Sequence, residues 1–295
     1  MSVPILALLL LITGATESEQ PYYLGNVGPR TNMQRVVSLA PSITEMLFAL
    51  NVGDRVVGVT RFDDFPAEVK KLPIVGGYID PSVEAIVALH PDLVVCVPNP
   101  GGRDRMEVLS RLGIPVLVMP ERHLQDIFGN IRFLGKLLNK TSMAETLITA
   151  IKQRLQQVEV AVKGLEAPRA LLVYGHKPLI AAGQGSFGDE MLHLAGGKNI
   201  VGNAVMLYPN LPMEEVIRLA PEVVIDASMS GSGAEISAPE STEFWNTWRV
   251  LPAVKNHHVY IFDSALWFRP GPRIAEGIEH LARLLHPKTT NQKTE

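Results

Sequence analysis

One segment of this chain occurs twice. PSVEAIVALHPDLVV, Pro81 to Val95, returns 130 residues later (214 − 84) as LPMEEVIRLAPEVVI, Leu211 to Ile225, with identities at Glu84/Glu214, Leu89/Leu219, Pro91/Pro221 and Val94/Val224. Each copy reads alike: an acid near the start of a short apolar-periodic run, a proline that ends it, a second acid, then a β-branched run. That is a helix followed by a strand apolar on both faces, the kind found in parallel sheets covered by helices. A second echo keeps the same order, with Thr44-Glu-Met-Leu and Val57-Gly58 matched by Asp189-Glu-Met-Leu and Val201-Gly202. Repetition of two elements in one order predicts two lobes of related α/β construction.

The rest of the chain fits that division. Arg35 to Leu39, Arg55 to Val59, Asp92 to Val97 and Val116 to Met119 read as strands, alternating with helical runs from Ser42 to Leu50, from Pro81 or Ser82, and from Met106 to Leu112. Ser42 with Glu45 has capping-box spacing. From Thr141 to Leu165 the text is an unbroken helix former with apolar residues at Leu147, Ile151, Leu155, Val158 and Val162, one stripe on a helix long enough to join two lobes. Past Pro168 the alternation resumes with strands at Ala170 to Tyr174 and Leu179 to Ala182, a helix at Asp189 to Ala195, and a strand at Val259 to Phe262. The expected organisation is a leader at 1–15, a polar tail at 16–33, a first α/β lobe at 34–138, a connecting helix at 139–166, a second α/β lobe at 167–288 and a polar tail at 289–295. Both lobes are expected to be Rossmann-like, with mostly parallel sheets.

Composition excludes several function classes. Over 295 residues the net charge is −3, with none of the basic excess that neutralising a nucleic-acid backbone needs. The apolar block Ile5 to Ile12 is too short to span a bilayer and ends in Thr13-Gly14-Ala15, so a cleaved secretory leader is expected and no membrane span. Cys96 is the one cysteine. It rules out an internal disulfide and a thiolate cluster, and its place after an apolar run suits a small buried hydrophobe. With no cysteine after the leader's apolar block, a soluble periplasmic protein is expected.

Catalytic patterns are sparse. HExxH, GxSxG and SxxK do not occur. Gly183-Gln-Gly185-Ser-Phe-Gly188 fits G-x-G-x-x-G between a strand and a helix, which keeps a nucleotide-dependent α/β enzyme as a reading from another class. Against it, position 208 is Tyr where a ribose-binding acid would fall, and Asp226 comes too late. His257-His258 reads as a solvated turn, and Asp63-Asp64 before Phe65-Pro66 as a turn or cap. Neither makes a metal site, and no cofactor is expected.

The aromatics are few and gather at the loops that follow strands, where open α/β sheets bind ligands. Phe62 and Phe65 follow the second strand, Tyr78 lies between Gly77 and Pro81, and Trp267-Phe268 precede Arg269. Flat rings in such places suit a large planar or apolar ligand. Taken singly, Phe65 and Trp248 suit plugs of local cores.

These stretches resemble the cobalamin and iron–siderophore substrate-binding proteins of ABC importers, the class III periplasmic binding proteins with a single connecting helix. The likeness runs from RVVSLAPSITEMLFALNVGDRVVGVT through FDDFP, LPIVGGY, GSFGDEMLHLAGGKNIV and both copies of the repeat to PRIAEGIEHLARLLHP. It is nearest to the cobalamin-binding branch. It implies a monomeric, non-enzymatic receptor that delivers a large metal chelate, cobalamin or a related corrinoid, to a permease, with a ferric siderophore or haem as the alternative ligand. It also implies a ligand face of Phe62, Tyr78, Trp267 and Phe268, with Trp245 at a further aromatic position. Arg61 and Arg269 are the cations an anionic siderophore could use, and Tyr78 lies near the position of an iron-ligating tyrosine in haem-binding members. Glu84 and Glu214, one from each lobe, are the implied contacts to arginines of the permease. As acids at helix starts they would also serve the helix dipole.

Overall fold

The computed structural model describes residues 20–30, 32–99, 102–202, 206–228, 237–262 and 269–287. The leader expected at 1–15 and the pair Trp267-Phe268 lie outside the described residues. The chain divides into two compact units, Met1–Thr141 and Ser142–Glu295.

Unit 1 contains β1 (Tyr22–Tyr23), β2 (Val36–Ser38), α1 (Pro41–Ala49), β3 (Val56–Gly58), α2 (Val83–Ala88), β4 (Leu93–Cys96), α3 (Arg103–Arg111), β5 (Val116–Val118) and α4 (Leu124–Leu137). Its sheet runs β1-β5-β4-β2-β3, parallel except for β1, which pairs antiparallel to β5 with Tyr22 opposite Val118. Strands β2, β4 and β5 are buried along their whole length, as their unbroken apolar text predicts. The stretch expected to be a polar tail supplies β1, and Leu24 and Met33 enter the core. Helix α1 also departs from expectation. It starts at Pro41 behind Ala40, without a side-chain cap. The Ser42 hydroxyl donates instead to Glu121 Oε2 at 2.9 Å, so the Ser42/Glu45 capping box does not form.

Unit 2 contains α5 (Thr141–Val162), β6 (Arg169–His176), β7 (Leu179–Ala181), α6 (Phe187–Leu194), β8 (Lys198–Asn199), α7 (Met213–Leu219), β9 (Val223–Asp226), α8 (Ala238–Asn246), α9 (Pro252–Lys255), β10 (Val259–Ile261) and α10 (Ile274–Leu285). The sheet order is β10-β9-β6-β7; β9, β10 and β8 are parallel to their partners and β7 antiparallel to β6. Helix α5 is unbroken over 22 residues and buries Ala144, Ile148, Ile151 and Val158; of the expected stripe Ile151 and Val158 are buried, while Leu147, Leu155 and Val162 are half-buried. Arg154 of α5 grips α10 of the same unit, with Nε 2.7 Å from Glu279 and Nη1 3.2 Å from Glu276.

The duplicated segment is duplicated in structure as well as in sequence. Helices α2 and α7 both end on a non-glycine residue in the left-handed region, His90 (φ 46°) and Ala220 (φ 45°), so the chain turns sharply into the next strand. The acid after each proline then takes up a neighbouring strand's start. Asp92 Oδ2 accepts from the N–H groups of Gln34 and Arg35, and Glu222 Oε2 from that of Arg169. Arg35 and Arg169 in turn donate to the carbonyls of Leu89 and Leu219, the last turns of α2 and α7. The repeated Leu, Pro and acid are therefore the parts of one joint, built once in each unit.

Candidate functional site

In unit 1 the loop after β3 and the loop before α2 are tied together around Arg61. Its backbone N–H donates to the Gly76 carbonyl at 2.9 Å, and its guanidinium binds both carboxylate oxygens of Asp80 at 2.8 Å each. A Cβ on Gly77 would collide with both Arg61 and Asp80, so glycine is what allows the fork to close over the backbone there. The guanidinium carbon lies 5.6 Å from the Phe62 ring centroid, a cation–π distance. Asp80 first, through this hydrogen bond, and then by its charge, holds Arg61 above the usual arginine range, and Arg61 holds the Asp80 carboxyl below the usual carboxylate range.

Tyr78 sits between these partners and is pinned at both ends. Its hydroxyl donates to the Pro98 carbonyl at 2.8 Å, and the Asn99 side-chain amide donates to its carbonyl at 2.6 Å. Burial, then the nearby Glu121 carboxyl and Cys96 thiol, push its pKa above the ordinary tyrosine value. Arg61 thus ties the loop of Phe62 to the loop that carries Tyr78, with Phe62 half-buried and the charge of Arg61 already paired.

The repeat reveals a residue that the sequence reading passes over. Tyr78 stands six residues before Glu84, and Tyr208 six before Glu214 (84 − 78 = 214 − 208). Tyr208 lies on a strap whose backbone follows β7, with Gly183 N–H donating to the Leu207 carbonyl and Ala181 N–H to that of Pro209. Its ring is 45% exposed and stands edge-on to Tyr174 at 5.7 Å. Burial, with Glu190 adding, raises its pKa. Extending the alignment of the repeat upstream by three residues (81 − 78 = 211 − 208) finds it.

Trp245 is a correction. It is 1% exposed, belongs to the core cluster of unit 2 and donates its Nε1–H to Asp226 Oδ2 at 2.6 Å. The same oxygen lies 2.7 Å from His176 Nε2, and the His176 ring stacks on Phe244 at 4.2 Å. Nothing of this indole is left to meet a ligand; it anchors a buried carboxylate at the end of β9. Arg269 is half-buried, and the aromatic pair before it lies outside the described residues.

Glu84 and Glu214 are both exposed in the first turns of α2 and α7. The Glu84 carboxyl accepts from the Ser82 hydroxyl at 3.1 Å, while Ser82 caps the helix by accepting from the Ala85 N–H. Its own backbone N–H first, and that hydroxyl second, hold Glu84 below the usual carboxylate range.

The glycine loop is occupied with its own needs. Gly185 N–H donates to Asp189 Oδ2 at 2.8 Å, Asp189 N–H to the Ser186 hydroxyl, and Gly183 packs against the carbonyls of Met206 and Leu207. The N–H groups of Gly183, Gly185, Ser186 and Asp189 are thus already bonded, and the strand before the loop is antiparallel to its neighbour, unlike a dinucleotide turn. His257-His258 forms the turn between α9 and β10. Among the described residues no three His, Cys, Asp or Glu side chains converge on a metal position, and no helix is long and apolar enough to cross a membrane.

Two α/β units with mostly parallel sheets, each carrying the same helix–strand joint, are the architecture of a substrate-binding protein. The family model for periplasmic binding proteins matches residues 36–266, and the chain belongs to that family. It is 30% identical over 249 residues to a vitamin B12-binding protein of Vibrio parahaemolyticus, covering 83% of this chain and 87% of that one. It is also 30% identical over 263 residues to an uncharacterised ABC transporter substrate-binding lipoprotein of Bacillus subtilis, covering 87% and 81%. Among solved structures, a periplasmic haem-binding protein of Pseudomonas aeruginosa superposes with a TM-score of 0.78 at 25% identity, covering 88% of this chain and 95% of that one.

Proposed function

We propose that this chain captures cobalamin or a related corrinoid in the periplasm and delivers it to the permease of an ABC importer, performing no chemistry on it. The observation that carries the choice of ligand is the state of the polar groups beside the aromatic face. A haem held through Tyr78 would require a phenolate, but the hydroxyl is engaged on Pro98 and its pKa is raised. An anionic ferric siderophore would require an available cation, but the Arg61 guanidinium is closed on Asp80. Rings of unit 1 whose neighbouring hydroxyl and guanidinium are already engaged suit a chelate that already satisfies its own metal, which is what a corrinoid is. The relative named a vitamin B12-binding protein supports the same choice.

The ligand contacts in this reading are Phe62 and Tyr78 of unit 1 and, separately, Tyr208 and Arg269 of unit 2, with Trp267 and Phe268 carried over from the family resemblance. Glu84 and Glu214 are the contacts to the permease. The monomer is the working form, and the 34–138 and 167–288 segments act as the two lobes, with 139–166 as the connecting helix. Calorimetry of the purified chain with cyanocobalamin, a ferric hydroxamate siderophore and haem tests this. Tight binding of cyanocobalamin with weak or no binding of the other two is expected, and failure to bind any corrinoid overturns it.

A further inference from the structure

Unit 1 has a pocket at the end of its sheet opposite the loops of Phe62 and Tyr78. It is lined by Phe48, Asn51, Gly53, Asp54, Arg55 and Lys140 and has a volume of about 370 Å³. Arg55 stands directly before the first residue of β3, whereas Arg61 and Phe62 come after the last, so the strand separates the two places. The floor of the pocket is fixed. After α1, Asn51 turns the chain in the left-handed region (φ 55°), and the N–H groups of Asn51 and Val52 donate to the carbonyls of Phe48 and Leu47 at 2.9 and 3.0 Å. Gly53 then lies against the Phe48 ring, where a Cβ would collide with it. Lys140 arrives from the turn after α4, with its N–H on the Gly135 carbonyl.

The charges in this pocket are not spent on one another. Arg55 makes one long hydrogen bond, from Nη1 to the Met33 carbonyl at 3.5 Å, and among the described residues neither it nor Lys140 has a carboxylate partner. Asp54 likewise has no cation partner among the described residues. By contrast, Arg30, Arg61 and Arg103 of the same unit are paired with Asp92, Asp80 and Glu107.

We propose that this pocket binds a small carboxylic acid bearing a hydroxyl or ammonium group on the adjacent carbon, at a site separate from that of the chelate. Arg55 and Lys140 hold the carboxylate by charge-assisted hydrogen bonds. Asp54 and the Asn51 side-chain carbonyl accept from the neighbouring hydroxyl or ammonium. The half-buried Phe48 ring covers the short carbon chain. Charge sets the class. Two cations and one carboxylate leave one net positive charge (2 − 1 = 1), which a single carboxylate neutralises, whereas a doubly charged phosphate would stand against Asp54. Helices α1 and α4 both end beside the pocket, and helix C-termini disfavour anions, so the side chains alone provide the attraction. About 370 Å³ lies at the lower end of the range of small-molecule sites, about 300–1,000 Å³.

The full chain, labelled with nitrogen-15, is titrated with L-lactate and L-alanine, and with propionate and inorganic phosphate as controls that lack the donor or add a charge. The Asn51 side-chain amide resonances, identified by Asn51→Ser, report occupancy. Lactate or alanine is expected to shift them in a saturable way, and propionate to bind about tenfold more weakly, as loss of a hydrogen bond to a charged group implies. Which of the two acids binds tells hydroxyl from ammonium. Lys140→Met is expected to abolish the response and leave the affinity for cyanocobalamin unchanged, and Asp54→Asn to remove the advantage over propionate. Asp54 is exposed and Lys140 makes no side-chain bond among the described residues, so both variants are expected to fold. No saturable shift with either acid, equal binding of propionate, tighter binding of phosphate, or a response that Lys140→Met leaves intact overturns the inference. None of these readings depends on whether cobalamin binds.

Discussion

Tyr208→Ala separates the roles of two aromatics with nearly the same exposure, Tyr208 and Phe65. An aromatic side chain offers about 150–250 Å² of surface, and Tyr208 is 45% exposed. A ligand covering that remainder removes about 70–110 Å² from water, about 2–3 kcal/mol at about 25 cal/mol per Å². Since about 1.4 kcal/mol is tenfold, the substitution is expected to weaken cyanocobalamin binding by about 20- to 100-fold. Phe65, 42% exposed, provides the control. It has nearly the same free surface but no counterpart in the repeat, so Phe65→Ala is expected to change the affinity less than about threefold. Isothermal titration of both variants, with thermal melts to confirm folding, gives the comparison. Equal losses in the two, or an unchanged affinity in Tyr208→Ala, refute the assignment of Tyr208 as the partner of Tyr78.

Reversing either docking acid, Glu84→Lys or Glu214→Lys, is expected to lower uptake in a cell that depends on this receptor while leaving the dissociation constant of the ligand unchanged, with the double variant worse than either; transport assays beside calorimetry check this. Trp245→Phe removes a hydrogen bond to the fully buried Asp226, so about 2 kcal/mol of stability is expected to be lost in urea titrations, with ligand affinity unchanged in the folded protein. The Glu121 carboxyl, whose Oε1 is buried with no partner among the described residues, is pushed up to about 8 by burial, and Asp126 and Glu45 add to this. From the ordinary glutamate range up to about pH 8 the folded chain therefore holds a proton that the unfolded chain has released, so stability falls as pH rises through that window. Glu121→Gln is expected to flatten that slope in melts taken across the window.

The fold was legible where local signals and tertiary demands agree. The buried strands announce themselves as β-branched runs, and α5 as an unbroken period of apolar residues. Helix α4 is hidden by Gly129 and Gly135, each of which costs helix propensity; the burial of Ile127, Phe128, Ile131 and Leu134 offsets that only in the folded unit. Ser42 shows the reverse case, a good local cap signal lost because a buried carboxyl claims the hydroxyl. At the site, Phe62 and Tyr78 stood out because rings in loops are costly to expose. Trp245 occupies an equally suggestive position in the chain, yet its burial follows from Asp226, nineteen residues away and invisible as its partner in the sequence. Tyr208 was present in the text throughout, and only the register of the duplicated joint gives it meaning. The pairing of Arg61 with Asp80 is a contact across nineteen residues that no spacing rule specifies.

The central claim is that a corrinoid is the ligand and that aromatic rings, not charge, hold it. It is tested most directly by equilibrium binding of cyanocobalamin to the purified chain at low and at high salt. The account predicts tight binding that salt leaves almost unchanged, because Arg61 is already neutralised by Asp80. No binding, or binding that salt abolishes, would contradict it.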